Sequence, residues 1–226
     1  MIHRLKNKMQ GPYSPQIKEF ARSLHFHSPA AYRMVRESFA NCLSSIETLN
    51  RWYSLNDHPP GMSENAIKNV SEMVSQESRK TGGKKLVFNI TSDGIGIKKW
   101  AQMNKKSEKW MGLIDLGGQL EPDRDKVGNI KLATKVLVFM LVNINGGSKI
   151  PVAYYFTNSL SGTNKSILLK DLLLKLHEAN IEVVSVTFDG DESNVKACSY
   201  LGANFDYDNK SKFKPYLDYP VTSEPV

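Results

Sequence analysis

The stretch VVSVTFDGDESN, residues 183–194, runs from β-branched apolar residues into three acids, Asp189, Asp191 and Glu192. A strand that stops on acids is either a surface turn or the rim of a site. Asp-Gly is a common turn dipeptide, because glycine tolerates positive φ and aspartate hydrogen-bonds its own backbone. A second one follows another apolar run, LVFNITSDGIGI at 86–97, and carries Asp93. Carboxylates projected from the ends of different strands are what Mg²⁺ and phosphoryl-transfer sites use. Spacing alone leaves the turn and the site readings both open.

The surroundings set the fold class. KWMGLIDLGG (109–118), TKVLVFMLVNI (134–144) and IPVAYYFT (150–157) are short apolar or alternating runs separated by Gly, Asn and Lys, and predict strands. NKSILLKDLLLKLHEAN (164–180) predicts a leucine-dense helix, the opening stretch a strand over 183–188, and ESNVKACSYLG (192–202) a second helix. Strands followed by helix, strand and helix predict an α/β (α+β) architecture, a mixed sheet covered by helices, with chemistry at the strand ends. An apolar strand ending Asp-x-Asp also resembles the nucleophile motif of haloacid-dehalogenase-like phosphatases, with Asp189 attacking and Asp191 as acid/base. That motif belongs near the start of its sheet, whereas here four strand candidates precede it.

The N-terminal part has a different texture. Ser14 and Ser28 precede Pro15 and Pro29, the signature of an N-cap followed by proline at the first helical position. Ile17, Phe20, Ala21 and Leu24 recur along one helical face, Tyr32, Val35 and Phe39 along a second, and Ile46, Leu49 and Trp52 or Tyr53 along a third. Three short helices of this size predict a helix-turn-helix-like bundle. Asn50 and Arg51 on the third helix, with Arg33 and Arg36 on the second, are its candidate DNA contacts. A fourth, polar helix is expected over about 63–78, before a hinge-like RKTGGKK.

Charge follows the same division. The chain has 226 residues and a net charge of +7; residues 1–84 hold twelve basic against seven acidic residues, and 85–226 hold eighteen against sixteen. A basic segment beside a nearly balanced one fits a nucleic-acid-contacting module next to a catalytic or interaction domain. No apolar run reaches the roughly 18 residues of a membrane span, and MIHRLKNKMQ lacks the apolar centre of a signal peptide, so a soluble intracellular chain without membrane partners is expected. Two distant cysteines, Cys42 and Cys198, support neither a disulfide framework nor a zinc site.

Residues from about 13 to 205 resemble the central region of P-element-type transposases and THAP-domain-containing transposase-like proteins. The likeness lies in YSPQIKEFARSLHFHSPAAYRMVRESF with TLNRWYS, in DGIGIKKW with KWMGLIDLGG, and in KVLVFMLVNINGGSKIPVAYYFTNSLSG with VVSVTFDGDESNVKACSYLGANF. It implies a helix-turn-helix module followed by the first part of a ribonuclease-H-like domain, whose first acid lies on the first strand and second at the end of the fourth. Asp93 matches the first acid and Asp189 the second, as catalytic and metal-binding residues. Asp191 and Glu192 are expected to begin a helix, where the dipole favours acids, and Asn194 matches a recurrent family asparagine of supporting role.

The implied organisation is a helical module at 1–60, a helical linker at 61–83, the N-terminal part of the ribonuclease-H-like domain at 84–210, and a tail at 211–226. The implied chemistry is cleavage and joining of DNA, at transposon ends in the nucleus, with two Mg²⁺ or Mn²⁺ ions, and a homo-oligomer is compatible with it. The family's third carboxylate lies on a helix beyond a downstream insertion implicated in guanine-nucleotide binding, so GTP is expected only where that insertion is present. Glu224, beside Pro225, is a poor substitute for that third acid, and the chain alone is expected to be inactive. The alternative is a non-catalytic DNA-binding or interaction protein domesticated from such an element.

Overall fold

A computed structural model describes residues 12–54, 58–83, 85–104, 108–125 and 127–218. The chain divides into two compact units, Met1–His58 and Pro59–Val226.

The first unit holds α1 (Pro15–His27), α2 (Pro29–Ser38) and α3 (Ile46–Ser54). Ser14 and Ser28 cap the first two by accepting from the backbone N–H of Ile17 and Ala31, as the Ser-Pro signals predict. Ala21, Tyr32, Cys42, Leu43, Leu49 and Trp52 form its core. Tyr32 is wholly buried, and its hydroxyl donates to the Ser44 carbonyl at 2.7 Å, so the polar tip is satisfied inside the bundle. Three predicted core positions are part exposed instead: Phe20 at 48%, Phe39 at 40% and Ile46 at 36%. Phe39 is the C-cap of α2, where the chain leaves the helix and the apolar stripe ends. The side chain of Tyr53 lies outside the described residues.

The second unit is built on a five-stranded sheet, ordered β1–β6–β5–β2–β7. Its strands are β1 (Gly61–Met62), β2 (Val87–Gly96), β5 (Lys135–Asn143), β6 (Lys149–Thr157) and β7 (Glu182–Thr187). All neighbours are antiparallel except β2 and β7, which run parallel. A two-stranded hairpin, β3 (Gln102–Asn104) with β4 (Lys109–Met111), follows β2. Among the described residues, three helices complete the unit: α4 (Glu64–Thr81), α5 (Gly162–Glu178) and α6 (Glu192–Tyr200).

The core joins Phe88 and Ile90 of β2, Leu137, Phe139 and Leu141 of β5, and Leu168, Leu169, Leu172, Leu173 and Leu176 of α5. The dense leucine run of 168–176 is therefore core, as its composition predicts. Ile67 and Val70 of α4 sit in the same cluster, and the Ser71 hydroxyl donates to Ala179 beyond α5 at 2.8 Å. Residues 61–83, expected as a linker, thus supply β1 and a packed helix of this unit, because the helix has an apolar stripe to bury. Leu217 is buried in the same core, and Asn204 and Lys214 exchange backbone hydrogen bonds, so residues 211–218 of the expected tail are tied to the unit; residues 219–226 lie outside the described part. Only the first three residues of KWMGLIDLGG form a strand, and the remainder crosses to the sheet through the Asp115–Phe156 bridge. Gly117 allows that crossing: its φ is +66°, and a Cβ there would lie 2.6 Å from the Gly61 Cα.

Candidate functional site

Strand parity positions the site. Along β2, Phe88, Ile90 and Ser92 are buried, while Asn89 and Thr91 are half exposed and Asp93 is exposed. Residues on alternate sides of a strand face opposite ways, so Asn89, Thr91 and Asp93 form one row. In the parallel ladder with β7, Asn89 stands beside Ser185 and Thr91 beside Thr187. The hydroxyls of Ser185 and Thr187 both donate to Asn89 Oδ1, at 2.8 and 3.0 Å, and the Asn89 amide donates to Thr91 Oγ1 at 2.9 Å. Two residues past the last paired row come Asp93 and Asp189, and both line one open cleft of about 210 Å³.

That placement depends on an irregularity in the ladder. Phe88 pairs with Val183, but Asn89 pairs with Ser185, so Val184 is an extra residue on β7. A bulge of this kind switches the parity of everything after it. Val183 is buried in the core, Val184 is 42% exposed, and beyond the bulge Val186 and Phe188 pack against the core while Asp189 reaches the cleft.

The two acids are held differently. Asp93 Oδ1 accepts from the Gly94 N–H at 2.7 Å. Asp189 Oδ1 accepts from the Asp191 N–H at 3.3 Å and from the side-chain amide of Asn194 at 2.5 Å. Among the described residues no donor reaches Oδ2 of either acid, which leaves one oxygen on each for a ligand. Asp191 is the N-cap of α6, accepting from the Ser193 N–H at 2.9 Å, and Glu192 is the first helical residue; both are helix-start residues, as expected. The Ser193 hydroxyl and amide, with Lys165 nearby, hold the Asp191 carboxyl below the usual carboxylate range.

The remaining lining includes Ser92, Lys135, Thr157, Asn158, Lys165 and Ser193. Lys165, in the first turn of α5, donates to Ser193 Oγ and Asn194 Oδ1, both at 2.6 Å, and lies 3.6 Å from Asp191. Sequence reasoning missed this lysine, and no motif marks it. It also missed the polar rows, although Asn-x-Thr-x-Asp at 89–93 and Ser-x-Thr-x-Asp at 185–189 repeat the same alternation before each acid. Among the described residues, no group of three or more His, Cys, Asp and Glu side chains is placed to hold a metal ion.

Of the candidate DNA contacts, Asn50 and Arg51 lie on α3, exposed on the side away from buried Leu49 and Trp52. Arg33 is exposed on α2, while Arg36 is half buried and donates from Nε to the Leu43 carbonyl at 3.4 Å. Arg36 therefore has a structural tie within the bundle. Both cysteines are buried free thiols, and no described helix is long and apolar enough to cross a membrane.

Comparison with known proteins agrees with this layout. Residues 58–202 match the family described as TNP-like, RNase H N-terminal domain, and residues 1–52 match the transposable element P transposase-like HTH domain. The human DNA transposase THAP9 is 28% identical over 200 residues, which cover 87% of this chain and 21% of that protein. Among solved structures, the Drosophila P element transposase strand transfer complex superposes with a TM-score of 0.70 at 18% identity, over 99% of this chain and 42% of that one. The chain thus spans about a fifth of the human relative's length and less than half of the solved chain.

Proposed function

This chain belongs to the transposase-like family of the TNP-like RNase H N-terminal domain, with a P-element-type helix-turn-helix segment before it, and from that premise we propose that it is the DNA-binding and first catalytic part of a transposase. Asp93 and Asp189 are its first two catalytic acids, and it acts on transposon ends in the nucleus. The observation that carries this reading is the meeting of the two carboxylates in one cleft, at the same level of two parallel strands.

The donor set fits Mg²⁺ or Mn²⁺. Magnesium takes hard oxygens, keeps several waters, and is commonly held by only one or two carboxylates together with substrate phosphates. Asp93 and Asp189 each offer an Oδ2 without a donor among the described residues. An ion held there would activate an attacking water or 3′-hydroxyl and stabilise the leaving oxygen. The chain's own residues do the rest. The Gly94 N–H and the Asn194 amide fix the two carboxylates in orientation, and Lys135 at the rim supplies a positive charge for the DNA backbone. In the helical unit, Asn50, Arg51, Arg33 and Arg36 are proposed to meet DNA, Arg36 while also bracing the bundle through the Leu43 carbonyl. Strand transfer is proposed to need a third carboxylate besides Asp93 and Asp189, one that is not among the described residues of the cleft.

Titrating Mn²⁺ into the purified chain tests the acid pair. Asp93→Ala and Asp189→Ala are each expected to lower affinity by more than the roughly 10- to 100-fold that outer-shell changes cost, and unchanged binding in either variant defeats the assignment. A gel-shift salt series tests the helical unit: Arg51→Ala should reduce the salt slope by about one if it contacts phosphate, and an unchanged slope rejects that contact. Strand transfer by this chain alone, abolished by Asp189→Ala, would overturn the requirement for a third acid.

A further inference from the structure

We propose that Lys165 is a positioning residue for Asp189, acting through the side-chain amide of Asn194; this rests on reading Asp93 and Asp189 as metal ligands. A lysine in the first turn of a helix ordinarily reaches into solvent, yet this side chain is only 18% exposed. Its ammonium meets three acceptors, Ser193 Oγ and Asn194 Oδ1 at 2.6 Å and Asp191 Oδ1 at 3.6 Å. An ammonium has three donors and no acceptor, so those contacts occupy it and leave little capacity for substrate.

The consequence falls on Asn194. Its amide has two unlike ends, and the ammonium attracts the carbonyl end and repels the NH₂ end. With Oδ1 drawn to Lys165, Nδ2 must turn the other way, where it donates to Asp189 Oδ1 at 2.5 Å. A flipped amide would set NH₂ against the ammonium and oxygen against the carboxylate, unfavourable at both ends. The cation also polarises the amide, which strengthens its donation to the acid. Asp189 Oδ1 is thereby occupied, and no donor reaches Oδ2 among the described residues.

The frame under this relay is tightly packed. Lys165 rides on α5 and Asn194 on α6, and the two helices meet at Gly162, where a Cβ would come within 2.6 Å of Lys196 Cβ and 3.0 Å of the Ser193 carbonyl. The ammonium and the amide it orients are therefore borne by two elements with little room to shift.

Mn²⁺ titration of the full chain, followed by electron paramagnetic resonance, tests the relay together with the Asn194 side-chain amide signal in ¹H–¹⁵N spectra of the metal-free protein. Lys165→Met and Asn194→Ala should each weaken Mn²⁺ binding roughly 10-fold. The double variant should be no weaker than either single one, because both act through one contact. Lys165→Arg should recover part of the affinity. The Asn194 amide signal should move in Lys165→Met and in Asp189→Ala alike. If Lys165→Met fails to fold, Lys165→Gln serves, since it keeps a polar chain without the charge that orients the amide.

A lysine variant that lowers the melting temperature but keeps wild-type Mn²⁺ affinity, or leaves the Asn194 signal in place, overturns the proposal and makes Lys165 only a tie between helices. Losses that multiply in the double variant overturn it too. If Asp93→Ala and Asp189→Ala bind Mn²⁺ as the wild type does, or the wild type binds none, the metal reading fails, and the amide signal alone decides whether Lys165 orients Asn194.

Discussion

On one face of the central sheet Phe88, Ile90 and Leu141 are fully buried among the leucines of α5; interleaved with them in sequence, Asn89, Thr91 and Asp93 stand half or fully exposed on the other face. The first face is dry and held by apolar area. The second is a hydrogen-bonded row leading to an acid, and β7 repeats it with Ser185, Thr187 and Asp189. A two-residue period thus lets one strand carry the fold on one side and the chemistry on the other. Neighbouring substitutions should therefore fail in unlike ways.

The largest effect is expected on the dry face. Phe88→Ala should cost about 3–5 kcal/mol by urea unfolding while leaving Mn²⁺ affinity of the folded fraction unchanged; a loss of affinity at full folding would show that the two faces are coupled. One residue along, Asn89→Leu should cost only about 1 kcal/mol, since the three hydroxyls that lose a partner, Ser185, Thr187 and Thr91, can still reach water. It should nonetheless lower Mn²⁺ affinity, because it loosens the rows that lead to both acids. A large stability loss with normal metal binding would erase the distinction.

The smallest effect is a pH signature within α6, whose two sides fail at opposite ends of the scale. Burial pushes the Cys198 thiol up from its ordinary 9.0 to about 11. The folded state then holds its proton where the unfolded chain has released it, so this stabilisation is complete below pH 9 and is lost as pH rises to about 11. Asp191 is shifted the other way, chiefly by the Ser193 hydroxyl, so its contribution is present above the ordinary carboxylate value of 3.8 and disappears as pH falls below it. Melting temperatures across pH should show the alkaline loss diminish in Cys198→Ala, the rest coming from the buried hydroxyls of Tyr32 and Tyr155, and the acid loss diminish in Asp191→Asn.

Much of this was legible locally. Ser-Pro pairs announced α1 and α2, the leucine run announced a buried helix, and the Asp-Gly ends of two apolar runs marked both acids. What escaped depends on the rest of the chain. β1 and β3 have two and three residues, too short for a periodic pattern to register. Lys165 has the look of any lysine on a helix, and only the approach of α6 at Gly162 gives it partners. The expected linker packs because Ile67 and Val70 of its apolar stripe find a core to join, and that core is built by later residues.

Val184 also bears on how this strand tolerates insertions and deletions. The extra residue acts as a spacer that resets the frame of β7, so that counting toward the acid starts after it. Deleting Val184 would close the bulge into a regular ladder and leave Asp189 level with Asp93. Deleting Val186, two positions later, would shift the count by one and turn Asp189 toward the leucines. In variants of this chain, length changes before Ser185 should be survivable and those between Ser185 and Asp189 should not, although both remove a single valine from the same strand.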